Sequence, residues 1–138
     1  MTRSINMENH ERTPGSVWVF WIIVIGIVCL LQPQYDGFDQ KGKASWYSRS
    51  DRGVKKTTAS GEIFDDQAMT AAMPDIELGR KVKVVNLKNG KSVIVTINDR
   101  GPHGRYVKSG RIIDLTKAAF KKISKTRKGL IRVGLVYL

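Results

Sequence analysis

Residues 82–97 read VKVVNLKNGKSVIVTI: two β-branched runs, 82–87 and 92–97, joined by Lys88-Asn89-Gly90-Lys91. Val and Ile lose rotamer freedom in a helix and pack well on a pleated sheet, while Asn-Gly supplies the positive backbone dihedrals that a tight hairpin turn requires. A β-hairpin with Asn89 and Gly90 at its tip is expected here. Outward from it, residues 44–48 and 131–137 alternate apolar with other residues at period two, so both read as strands. Only 115–123 reads as a helix, with Asp114 or Thr116 as its cap and Leu115, Ala119 and Ile123 on one face. Strands around one short helix make a mainly β chain, and a small barrel is the expected architecture.

The chain has 138 residues, 41% of them hydrophobic and 26% charged, which suits one modest core. Its formal net charge is +12, and since Arg3 and Arg12 cancel Glu8 and Glu11, the whole excess follows Leu31. Such a surface attracts polyanions, whether nucleic acid, anionic lipid headgroups or the acidic polymers of a cell wall. A nucleic-acid role needs clustered arginines with stacking aromatics or a recognised motif, and the chain carries neither, so no nucleic-acid partner is expected. Cys29 is the only cysteine, so the folded part has no disulfide of its own. His10 and His103 are the only histidines; no metal site and no cofactor are expected.

Four segments follow from composition. Residues 1–16 are a polar leader. Residues 17–31, VWVFWIIVIGIVCLL, run apolar from Val17 to Leu31 with one glycine. At about 15 residues this is short for a spanning helix, which needs roughly 17 to 25, and it suits the core of a secretory signal. No small-residue cleavage site follows, so a cleaved signal peptide and an uncleaved hydrophobic helix anchoring the chain to a membrane both stay open. Lipoprotein processing at Cys29 is a third route, against which Val28 stands where a small residue is usual. Residues 32–41, QPQYDGFDQK, read as a spacer. The folded domain is expected over 42–138.

Within that domain, polar residues cluster in four stretches where core logic does not require them: GKASWYS (42–48), TASGEIFD (58–65), TAAMPDIELGRKVKVVNLKNGKSV (70–93) and TINDRGPHGRYVKSGRIIDLT (96–116). In this order they resemble the rare lipoprotein A family of peptidoglycan lytic transglycosylases over essentially the entire domain. The resemblance implies a six-stranded double-psi β-barrel with one or two short helices. It implies a place in the bacterial cell envelope, membrane-anchored or secreted, with peptidoglycan glycan strands as substrate and anionic wall polymers as further partners. It also implies cleavage of the glycan without water, leaving a 1,6-anhydro end on the muramic sugar. One carboxyl group then serves first as acid to the glycosidic oxygen and next as base to the sugar's own 6-hydroxyl. Expansin-like proteins and some protease inhibitors share this barrel, so a non-catalytic module that binds wall polysaccharide is the rival reading.

The resemblance assigns the catalytic carboxyls to Asp99, which leaves a strand end into the Gly101-Pro102 loop, and to Glu62 of the TASGE motif. A pair facing each other across a groove would share one proton. Asp99 also reads as a turn residue bonding its own backbone. Ser60, Met73, Asn98, Arg100 and Tyr47 are the expected substrate-binding residues, Arg100 alternatively anchoring its loop. Trp46, opposite in direction to Tyr47, is expected in the core. Asp114 is read as structural. Two departures stand out. Met73 occupies the family's histidine position and cannot relay a proton, and 103–110, HGRYVKSG, is longer than usual and carries His103, a candidate substitute for that histidine.

Overall fold

A computed structural model of the chain describes residues 36–138, and the leader and the apolar run 17–31 lie outside the described residues. Among the described residues no helix is long and apolar enough to cross a membrane. Six strands carry the fold: β1 (Gln40–Tyr47), β2 (Thr70–Ala72), β3 (Lys81–Asn86), β4 (Ser92–Asp99), β5 (Arg111–Thr116) and β6 (Leu130–Tyr137). Two short helices, α1 (Gly104–Val107) and α2 (Lys117–Ile123), and a 3₁₀ turn at Thr126–Lys128 complete it. The strands close a barrel in the order β1-β5-β2-β4-β3-β6. Pairs β1–β5 and β2–β4 are parallel and the other four pairs antiparallel.

Alternation decides which side chains enter the barrel. Val82 and Val84 of β3, Val95 and Ile97 of β4, and Val133 and Leu135 of β6 are buried, while Lys81, Lys83 and Arg132 between them face water. Ile113 and Leu115 from β5 and Ala119, Phe120 and Ile123 from α2 complete the core, each with no exposed surface. At about 25 cal/mol per Å² of apolar surface removed from water, this set supplies the main drive for closure. The core is drawn from residues 44–135, so the unit Asp36–Leu138 carries its own interior.

The hairpin forms where expected, but its turn differs. Within the turn Gly90 alone takes a positive φ, +73°, and among the described residues no non-glycine residue does. The loop is longer than a two-residue turn: Gly90 N–H donates to the Asn86 carbonyl at 2.8 Å and Asn86 N–H to the Lys91 carbonyl at 2.8 Å. Asn86 and Asn89 side-chain amides then reach the Ile123 carbonyl at 2.9 and 3.0 Å, satisfying an orphan acceptor at the end of α2. The helix begins later than the apolar pattern suggested. Leu115 and Thr116 belong to β5, and Thr116 caps α2 by accepting from Ala119 N–H at 3.3 Å. Asp114 is a strand residue, not a cap.

The domain also starts earlier than Gly42. Asp39 N–H donates to the Leu135 carbonyl and the Asp39 carboxylate accepts from Tyr137 N–H. Phe38 covers Gly134 so closely that a Cβ there would stand 2.5 Å from its ring. The last residues of the expected spacer are therefore barrel.

Candidate active site

The end of β4 carries an irregularity that shapes the site. Ala71 pairs with Ile97 and Ala72 with Asp99, so Asn98 is an extra residue on β4. A bulge of this kind re-aims side chains that would otherwise point to opposite faces. Here Asn98 and Asp99 both engage the same turn, residues 58–62, which closes a small hairpin bridged at Thr57 and Ile63. Gly61, at φ +90°, lets that turn reverse, with its N–H on the Thr58 carbonyl at 3.0 Å.

The contacts run in pairs. Asp99 Oδ1 accepts from Ala59 N–H at 2.9 Å and from Arg100 N–H at 2.8 Å. Asn98 Nδ2 donates to Glu62 Oε2 at 2.8 Å, while the Asn98 carbonyl accepts from Ser60 N–H at 3.0 Å. Thr58 Oγ1 lies 3.1 Å from Ser60 Oγ, inside the turn. Both carboxyls are thus fastened to one turn, Asp99 through its backbone and Glu62 as part of it. They make no hydrogen bond to each other; Asn98 stands between them. Oδ1 of Asp99 is taken by two backbone donors, which fixes the group's orientation and leaves Oδ2 for chemistry.

Behind Asp99 lies a second polar group. Asp114 Oδ1 accepts from Ser45 Oγ at 2.6 Å and from Arg111 Nε at 2.5 Å. Its Oδ2 lies 3.6 Å from where a Cβ on Gly101 would stand, directly under the loop that follows Asp99. This supporting position matches the structural reading of Asp114. Arg100 sends its guanidinium to the carbonyls of Met73 and Ile76, at 3.2 and 2.7 Å, and so anchors the segment after β2. Of its two expected roles, the structure displays the anchoring one.

Tyr47 stacks on buried Phe64 with ring centroids 4.6 Å apart. Its hydroxyl is buried without a hydrogen-bond partner, as is Asn98 Oδ1. Burial, and after it the carboxylates of Asp99, Asp114 and Asp66, push the Tyr47 phenol well above its ordinary value, so it keeps its proton and stays a donor.

Two of the residues singled out from the sequence stand differently from expectation. Met73 is 3% exposed and packs in the core, so its side chain does not line an open groove; only its N–H, on the Asp99 carbonyl at 3.2 Å, touches the site. The cause is that Met73 directly continues β2, whose alanines are buried. His103 is exposed at the start of α1 and makes no hydrogen bond to either carboxyl, so nothing joins it to the site. Trp46 packs against the core as expected, its indole N–H on the Thr126 carbonyl at 3.0 Å. What sequence reasoning missed is the backbone: the Ala59 and Ser60 N–H groups hold the two β4 residues, and the only hint was the Thr-Ala-Ser-Gly turn composition. Among the described residues no group of acidic, histidine or cysteine side chains could hold a metal ion.

Residues 39–135 match the model of the family described as lytic transglycolase. The chain belongs to this family. The barrel is its double-psi barrel, reached from the ordered motifs and now met in the strand order. The lytic transglycolase domain is 45% identical over 99 residues to the Vibrio cholerae protein named endolytic peptidoglycan transglycosylase RlpA, a match covering 72% of this chain and 35% of that protein. The chain spans only 25% to 38% of the length of the curated relatives it matches. Among solved structures, the domain resembles the Streptomyces papain inhibitor, with TM-score 0.52 and 25% identity over 72% of this chain and 96% of that one. It also shares its fold with a mutant Clavibacter michiganensis expansin in complex with cellohexaose, with TM-score 0.53 and 20% identity over 71% of this chain and 49% of that one.

Proposed function

We propose that this domain is a peptidoglycan lytic transglycosylase, with Asp99 and Glu62 as its catalytic carboxyls. The observation that carries the proposal is the bulge at Asn98, which ties both carboxyls to the 58–62 turn beside two unpartnered polar atoms. The names of the relatives supply the substrate class.

In the proposed reaction Asp99 protonates the glycosidic oxygen through Oδ2, and the bond from the anomeric carbon of the muramic sugar to that oxygen breaks. The 6-hydroxyl oxygen of the same sugar then bonds to the anomeric carbon, and its proton returns to Asp99. No water is consumed, and the carboxyl ends as it began. Glu62, anchored by Asn98, lies beside the reaction as a negative charge that stabilises the oxocarbenium-like transition state. Tyr47, Asn98, Ser60 and Arg100 border the glycan strand. On this reading the domain works in the bacterial cell envelope, delivered by residues 17–31 as signal or anchor, with the excess positive charge favouring anionic wall polymers.

A second reading, a wall-binding module that does not cut, is favoured by the burial of Met73 at the position where the family resemblance places a histidine. Incubation of the protein with purified peptidoglycan, with and without stem peptides, separates the two. Anhydro-ended products that vanish with Asp99→Asn support the enzyme. Pelleting with the wall and no new ends supports the module.

A further inference from the structure

A concave surface away from the carboxylates has no role in the chemistry above. A cavity of about 530 Å³ is lined by Leu87, Lys88, Lys128, Leu130 and Arg132 among others. A second, of about 200 Å³, shares Leu87 and Arg132 with it and adds Lys41 and Lys43. Two leucines open to solvent, Leu87 at 37% and Leu130 at 46%, thus lie within a ring of five cations.

These charges are not balanced locally. Among the described residues the ion pairs are Lys41–Asp36 and Arg111–Asp114, so Lys88, Lys128 and Arg132 have no carboxylate partner. Lys43 reaches only the Ser109 carbonyl, at 3.0 Å. From Leu78 to the last residue, Asp99 and Asp114 are the only acidic side chains. The register sharpens the point: Lys43 stands directly opposite Arg132 across β1 and β6. Like charges facing each other destabilise an antiparallel pair, and neither side chain contributes to the core. Beyond the Lys43–Ser109 bond neither charge has a partner among the described residues to offset that cost, which suits a surface that receives an anion.

We propose that this face docks on an anionic phospholipid surface, with Lys43, Lys88, Lys128 and Arg132 meeting headgroup phosphates and Leu87 and Leu130 entering the interface. The exposed leucines argue for a bilayer over a soluble polyanion, which has no apolar depth to offer them. So does the position in the chain. Lys41 and Lys43 open β1, and only residues 32–39 separate β1 from the apolar run 17–31. Eight extended residues reach at most about 28 Å, so with 17–31 held in a membrane the start of β1 would lie within that distance of it. That step rests on the anchor reading of 17–31; the surface chemistry does not.

The test is sedimentation of residues 36–138, which close their own barrel around their own core, with vesicles of phosphatidylcholine alone or mixed with phosphatidylglycerol. Binding is expected only to the mixed vesicles and falls with added salt. Replacing Lys88, Lys128 and Arg132 together by Gln weakens binding on the order of a hundredfold. The same charge change at Lys121, Lys122 and Lys125, outside the cavity, leaves it within about threefold, and Leu130→Ser weakens it several-fold at constant charge. Circular dichroism checks that each variant is folded. Equal losses from both triple variants would overturn the proposal in favour of diffuse charge. So would binding to soluble poly(glycerol phosphate) without binding to vesicles. Mass analysis of the mature N terminus reports separately whether 17–31 is retained, so a lost anchor and a failed surface are distinguishable.

Discussion

Asp99 is held by backbone donors that an amide oxygen satisfies as well as a carboxylate does. Asp99→Asn therefore keeps the fold, with unfolding free energy within about 1 kcal/mol of the parent in urea titration. On the proposed mechanism it also removes the acid and base, so turnover should fall on the order of 10²- to 10⁴-fold. Tyr47 behaves in the opposite way. Its hydroxyl is buried and unpartnered, so Tyr47→Phe leaves stability unchanged or raises it by about 1 kcal/mol while weakening glycan binding. The alkaline limb of stability checks the same group. The folded state keeps the phenol protonated, whereas the unfolded chain loses that proton near pH 10. Stability from this source is flat below about pH 10 and falls as pH rises beyond it. Urea midpoints measured from pH 8 to 11 should fall less steeply for Tyr47→Phe. A residual slope remains from Tyr137, whose phenol burial and then Asp39 shift the same way. The family resemblance named Asp99, Glu62, Asn98 and Tyr47, and the structure ties the first three to one turn. Sequence reading missed that Met73 is buried, because a side chain just past a three-residue strand takes its direction from neighbouring strands.

Among the elements, β5 and the turn after β3 bear most of the polar linkage. The Ser45–Asp114–Arg111 cluster joins β1 to β5 and supports the loop after Asp99. Asp114→Ala leaves a half-buried guanidinium and a buried hydroxyl unpaired and costs about 3 kcal/mol, read from the urea midpoint. Asp114→Asn, which still accepts from Ser45, costs less. Asn86→Ala frees the Ile123 carbonyl from one of its two donors and removes the acceptor for Lys88 N–H, for a loss of about 2 kcal/mol. β3 and β4 were legible from their β-branched runs around Asn-Gly, and β1 and β6 from the period of two that alternating faces write into a sequence. β5 was not, since all but its first residue are buried and no alternation survives. β2 is only Thr70–Ala72, too short to show a period. The start of α2 was misjudged for a related reason: Leu115 fits a helical face and a buried strand equally well.

For the whole molecule, periodicity led as far as a small mainly β barrel, and the ordered motifs supplied its topology. Neither could reveal the bulge at Asn98, which depends on how β2 meets β4 across the barrel. That bulge makes one surface of the two carboxyls. It gives the molecule a carboxylate face at the end of β4, where the proposed cleavage would occur, beside a cationic face across β1 and β6. Activity on isolated glycan strands should therefore survive the triple Lys88, Lys128 and Arg132 replacement, with kcat within about twofold of the parent, since none of these residues approaches Asp99. The central claim is cleavage without water. The most direct measurement digests peptidoglycan with the protein in water enriched in heavy oxygen and weighs the new muramic ends. The account predicts anhydro ends that carry no heavy oxygen and are absent with Asp99→Asn; heavy oxygen in reducing ends, or intact glycan after prolonged incubation, would contradict it.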